Sequence, residues 1–329
     1  LDAWILAATL DKGILDIQSF ALTHSMGDVD ISGSLNLLKS QGTLVAGLAL
    51  DDFRYLDKFE IPAIQANVRG APAFQLNWKD EPKIRVEGAI DIQALKTEYG
   101  SFREMKATIA GDIDAEQAIF TLEDEIAYLN ATGVEMPKLD LDIDVIATFS
   151  GKTEATGTFY SNMTKVEEGV VLLHGVQGEF LFEMDEELLF QTKDMHVGEV
   201  ELAPVQYKID GGPIFLELKG DNLIADLHLL RKQKTFINIQ AKSDLKEEMW
   251  WINRLIFSPT EGEEWGMTEG VVFQVSDKGV ENFKLSLISE AGEVSVFADT
   301  NNNSPDFSVQ LKNVEVKYAA ELVELFGDR

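Results

Sequence analysis

Cysteine is missing from all 329 residues, which excludes disulfides, thiol catalysis and thiolate metal sites. Basic residues are scarce: 28 Lys and Arg stand against 57 Asp and Glu, a formal net charge of -29. Such a surface repels phosphate backbones and anionic headgroups, which argues against nucleic acid as a partner. The four histidines, His24, His174, His196 and His228, are far apart in sequence and each lies in or beside a strand-like run, so structural roles are expected for them. No His-x-x-x-His or His-Glu-x-x-His pair exists, so zincin chemistry lacks its ligands. Glycine-rich phosphate loops of the Gly-x-Gly-x-x-Gly or Walker type are also missing. Long apolar runs are lacking too. Trp4 to Ala8 and Leu44 to Leu50 fall far short of the ~20 residues that a membrane-spanning helix needs. The first residues carry neither an initiator Met nor a basic and apolar signal pattern, so the chain reads as a fragment or processed form with any signal or anchor out of view.

What the sequence has in plenty is alternation. In Leu139-Asp140-Leu141-Asp142-Ile143-Asp144-Val145 every second residue is apolar and its neighbours are carboxylates, which predicts a strand with one dry and one wet face. The same period recurs in Leu44/Ala46/Leu48/Leu50, Phe74/Leu76/Trp78, Ala118/Phe120/Leu122, Leu223/Ala225/Leu227/Leu229 and Ile237/Ile239/Ala241. It continues in Val271/Phe273/Val275, Phe283/Leu285/Leu287, Val294/Val296/Ala298 and Phe307/Val309/Leu311. Turn signals separate these runs, among them Gly70-Ala71-Pro72, Asp210-Gly211-Gly212-Pro213 and Asn301 to Pro305. Strand follows strand every ~10 to 15 residues, the rhythm of successive hairpins, with no βαβ alternation.

Four strands share the form apolar-x-Gly-x-apolar-x-apolar: Ile31 to Leu37, Val86 to Ile92, Ile109 to Ala115 and Val176 to Phe182. The Gly falls on the apolar face each time. Either the missing side chain permits a bend, bulge or close approach, or Gly is merely tolerated there. Two segments read as helices. Asp244 to Phe257 places Leu245, Met249, Ile252 and Ile256 on one face with Asp244 as N-cap, a helix that would cap the β core with Trp250 and Trp251 as packing mass. Glu315 to Phe326 is the second, with Gly327 as its C-terminal cap residue.

The expected fold is therefore all-β: a long curled antiparallel sheet forming an open groove, with two short helices. Residues 1–243 would be a repeat-built groove, 244–266 a helical insert, and 267–329 a continuation with a C-terminal helix. Asp140, Asp142 and Asp144 have the two-residue spacing of a calcium loop, but its Gly and distal Glu are missing and strand alternation already explains the spacing. No catalytic group, metal or cofactor is expected.

An apolar face repeated along many strands either meets another such face in a sandwich or stays open as a trough suited to acyl chains. About 20 strands, ~4.8 Å apart, would make a groove on the order of 100 Å long, more than one lipid needs. The lining expected is Leu139, Leu141, Ile143, Val145, Phe180, Phe182, Leu223, Leu227, Ile237, Ile239, Phe273 and Phe283.

The Gly-bearing strands Asp30 to Leu37 and Arg85 to Ile92, with the closing stretch Phe307 to Val316, give the chain a texture that resembles the AsmA-like bacterial envelope proteins. Of the TamB, YhdP and YdbH types within that group, it looks most like YdbH. The resemblance implies a periplasmic β-groove anchored to the inner membrane that carries phospholipid between two membranes and contributes to outer-membrane biogenesis. It also implies inner- and outer-membrane protein partners, one of them able to add a strand to the sheet edge. The family's membrane anchor has no counterpart in this sequence. Two other classes stay open: a structural or adhesive β-sandwich array that binds proteins and, more distantly, a carbohydrate-acting enzyme with paired carboxylates.

Overall fold

The computed structural model describes residues 3–24, 27–51, 65–79, 81–96, 100–131, 133–166, 170–185, 187–202, 207–258, 263–276, 279–300 and 306–314. Of these, 83% are in strands and none is in a helix, so the fold is all-β. The 24 strands belong to one antiparallel sheet. Val, Ile, Phe and Thr fill the strands because branched and aromatic side chains pack well on a pleated surface.

Two compact units are present. Leu1–Gly169 with Phe182–Asp185 form the first, and Val170–Leu181 with Glu186–Arg329 the second. In the first unit, β1 (Ala3–Asp11), β2 (Ile14–His24), β3 (Gly27–Asn36) and β4 (Gln41–Leu50) follow one another as hairpins. Next, β5 (Gln65–Gly70) and β6 (Ala73–Asn77) lie end to end between β4 and β7 (Lys83–Lys96). Then come β8 (Gly100–Ile113) and β9 (Gln117–Ala131), the short β10 (Val134–Met136), β11 (Leu139–Thr148) and β12 (Thr153–Val166).

The second unit repeats the pattern. Its strands begin with β13 (Val171–Met184), whose last residues fall to the first unit, β14 (Leu188–Leu202), β15 (Tyr207–Lys219) and β16 (Asn222–Arg231). They continue with β17 (Lys234–Asp244), β18 (Met249–Phe257), β19 (Trp265–Met267) and β20 (Val271–Ser276). The last are β21 (Gly279–Glu281), β22 (Phe283–Ser289), β23 (Gly292–Asp299) and β24 (Asp306–Lys312).

Two sequence expectations are overturned. The segment read as a helix from Asp244 is a hairpin: Asp244 closes β17, and Met249–Phe257 is β18, paired along β17 from Asp244↔Met249 to Ile237↔Phe257. Asp244 does cap backbone donors, but those of a turn. Its Oδ1 accepts the N–H groups of Lys246 and Glu247, at 3.1 and 3.0 Å, and Glu248 turns the chain with φ 56°. The Trp- and Ile-rich run beyond it then gains a ladder on both sides, from β17 and from β19 and β20, which a lone amphipathic helix would not have. The second helical reading, Glu315 to Phe326, lies outside the described residues.

The other correction concerns Asp210-Gly211-Gly212-Pro213, read as a turn and found inside β15. There the glycines allow neighbouring backbones to come close: a Cβ on Gly211 would collide with the Val197 carbonyl, and one on Gly212 with the His228 carbonyl. The Gly-bearing strands follow the same logic. Gly33 has φ +143°, and a Cβ there would strike the Thr43 carbonyl of β4, so close approach rather than tolerance explains the residue.

Candidate functional site

Antiparallel register turns the alternation of each strand into rows that cross the sheet. In the first unit one row runs Ala155, Val145, Phe120, Gly111, Val86, Phe74, Leu44, Gly33, Ile17 and Ala8, from β12 to β1. Every member is apolar or Gly. A parallel row runs Phe159, Leu141, Asp124, Ala107, Ile90, Gly70, Leu48, Val29, Leu22 and Trp4. It is apolar throughout except at Asp124.

The reverse face of the same strands is wet. Asp140 is paired with Glu125, Asp142 with Glu123 and Asp144 with Thr121. Lys138 spans Glu125 and Asp140 at 3.7 and 3.3 Å on that side, and its hydrogen bond to Asp140 holds its ammonium above the usual range. The triple Asp pattern is thus a stripe on the wet face, with Asp142 and Asp144 exposed and Asp140 half-buried beside Lys138.

In the second unit three of the four expected lining aromatics make ring contacts, while Phe182 falls to the first unit. Phe180 stacks with Phe190 at 6.2 Å, and Phe190 begins the row Leu218, Leu223, Ser243, Trp250 and Phe273. Phe273 then meets Phe283 edge-on at 5.1 Å. Beside it runs the row Met195, Ile214, Leu227, Ile239 and Leu255, and beyond that Leu229, Ile237 and Phe257. Polar residues on this face are satisfied locally. Ser243 donates to the Met249 carbonyl at 3.0 Å, and Thr192 accepts the Leu216 N–H at 2.8 Å where the β14–β15 register slips. Thr192 thereby replaces a lost ladder bond.

The state of burial along these rows separates packed from open positions. Val197, Phe236, Trp265 and Val176 are fully buried. Of the twelve expected lining residues, Leu139 is buried and the other eleven are only half-buried. Among the described residues several large apolar side chains are exposed outright, including Trp4, Ile5, Leu6 and Leu10 on β1 and Phe307, Val309 and Leu311 on β24.

Asp124 is the residue that sequence reading missed. It is 7% exposed, and its Oδ1 has no hydrogen-bond partner. Burial, with a smaller contribution from the Asp142 charge, pushes its pKa up to about 6. The signal was present in Ala118, Phe120, Leu122, Asp124 and Ile126, where the strand period calls for an apolar side chain and a carboxyl stands instead.

One further cluster has metal-ligating chemistry: His174, Glu199 and Glu201, with ligand atoms within 4.8 Å of one another. Lys208 already sits there, 2.8 Å from Glu199 and 3.4 Å from Glu201. Its hydrogen bonds to those carboxylates raise its pKa, so the two carboxylates already share an ammonium as counter-charge. No protein-family model matches the chain, and no curated protein matches it.

Proposed function

We propose that this chain is a lipid-binding groove segment, non-enzymatic, from a periplasmic protein that moves phospholipid between membranes. The observation that carries the reading is the set of in-register apolar rows, most of whose side chains are half-buried, backed at β9 and β11 by an acidic reverse face. Acyl chains need apolar area and few directional bonds, and such rows offer that. The finer architecture, a curled sheet with an open trough, belongs to this reading, as do the resemblance to AsmA-like proteins, attachment to the inner membrane and protein partners in both membranes. A sandwich array would instead pack its apolar faces together, and half-buried lining speaks against it.

Native mass spectrometry of the purified chain tests the proposal. Adducts with phospholipid masses, lost on organic extraction, are expected. A chain that stays free of lipid even after incubation with phospholipid vesicles would overturn it.

A further inference from the structure

The apolar row that carries Asp124 contains no other charged residue. Its neighbours on the same face are Ala107 and Met105 of β8 and Leu139 and Leu141 of β11. No hydrogen bond reaches Oδ1. Cations near these strands stand on the reverse face or further along the sheet. Lys138 bridges Glu125 and Asp140 on the reverse face, Lys83 pairs with Asp112 at 2.9 Å, and Lys106 stands opposite Glu125. Arg103, two rows further along β8, lies over the Tyr128 ring at 5.6 Å. From β9 itself Glu123 and Glu125 alternate to the reverse face, and from β11 so do Asp140 and Asp142. A buried carboxyl amid aliphatic side chains, with an oxygen unserved by the protein, is a site whose missing partner is a positively charged donor.

We propose that Asp124 is a headgroup subsite that takes the ammonium of a primary-amine-bearing amphiphile, whose hydrocarbon chain lies along the surrounding apolar rows. This rests on the lipid-groove reading and adds a ligand class to it. A carboxylate fits the ammonium both as counter-charge and as acceptor of its N–H groups, while apolar neighbours such as Leu141 and Met105 leave the pair little competing water. An anionic head would be repelled. A neutral head would leave the carboxylate without its counter-charge.

Dodecylamine, dodecanol and dodecanoate serve as probes in calorimetric titration of the delipidated full chain. At about pH 8 dodecylamine should bind roughly tenfold or more tighter than dodecanol, with dodecanoate weakest. The preference for amine should shrink at about pH 5, where Asp124 gains its proton. Asp124→Asn should abolish the preference, so that dodecylamine binds no tighter than dodecanol. Asp142→Asn, which removes the same charge from the reverse face, should retain it and so controls for attraction to the acidic chain as a whole. An equal amine preference in Asp124→Asn, or its loss in Asp142→Asn, would overturn the subsite alone. Failure of all three probes to bind would overturn the groove reading and the subsite with it.

Discussion

At the scale of single residues, the sharpest consequence of the fold is the cost of placing Asp124 on the dry face. Its folded-state pKa of about 6 stands above the ordinary carboxyl value of 3.8, so between those values the folded chain holds a proton that the unfolded chain has released. Stability therefore falls as pH rises through that window, and the penalty is complete above about pH 6. A shift of this size corresponds to on the order of 1 to 3 kcal/mol once water reaching the carboxyl is allowed for. Asp124→Asn should raise the urea midpoint at pH 8, change it little at pH 4, and flatten the slope between. An unchanged slope would show that the carboxyl is solvated in the folded chain. The other singular residues are quieter: Thr192 and Ser243 are polar, buried and satisfied by backbone groups close by.

Strands are the elements that the sequence made legible, because a period of two with carboxylates between apolar residues has one structural reading. The run Leu139 to Val145 falls in β11 and the run Ile237 to Ala241 in β17. What failed is equally physical. Asp244 bonds to the N–H groups two and three residues on, a habit shared by helix caps and turns, so only the neighbouring strands decide between them. Gly211 and Gly212 look like a turn in the sequence because the reason for them, close approach of β14 and β16, is a contact far away along the chain. The lining was legible as a face, since strand parity is local, whereas the isolation of Asp124 depends on rows assembled from ten strands. The glycine argument has a direct test. Gly211→Ala should lower stability by about 2 kcal/mol or more in chemical denaturation, because backbone rather than a flexible side chain meets the new methyl. Gly266→Ala, with open space around its Cβ and no positive φ, should lie within about 0.5 kcal/mol of the parent. Equal effects at the two sites would remove the close-approach explanation.

For the molecule as a whole, the question is whether its apolar rows are a core or a surface, and a charge placed on them answers it. In a closed core any buried carboxylate without a partner is severely destabilising, whereas on an open face most of its hydration survives. Val197 is fully buried and Ile143 only half-buried, so the two positions should respond differently. Val197→Asp is expected to cost about 3 kcal/mol or more, or to prevent folding. Ile143→Asp should keep the far-ultraviolet signature of strands and most of the parent's stability, yet lose phospholipid adducts. Lipid itself should act as a stabiliser by mass action: at a hundred times its dissociation constant, a ligand that binds only the folded state adds about 2.7 kcal/mol. The melting temperature of the parent should therefore climb with added phospholipid, and that of Ile143→Asp should climb less. If Ile143→Asp unfolds the chain as thoroughly as Val197→Asp, the rows are a core and the protein works through its edges and loops. If both variants fold and both melting temperatures ignore lipid, the face is open but has another occupant.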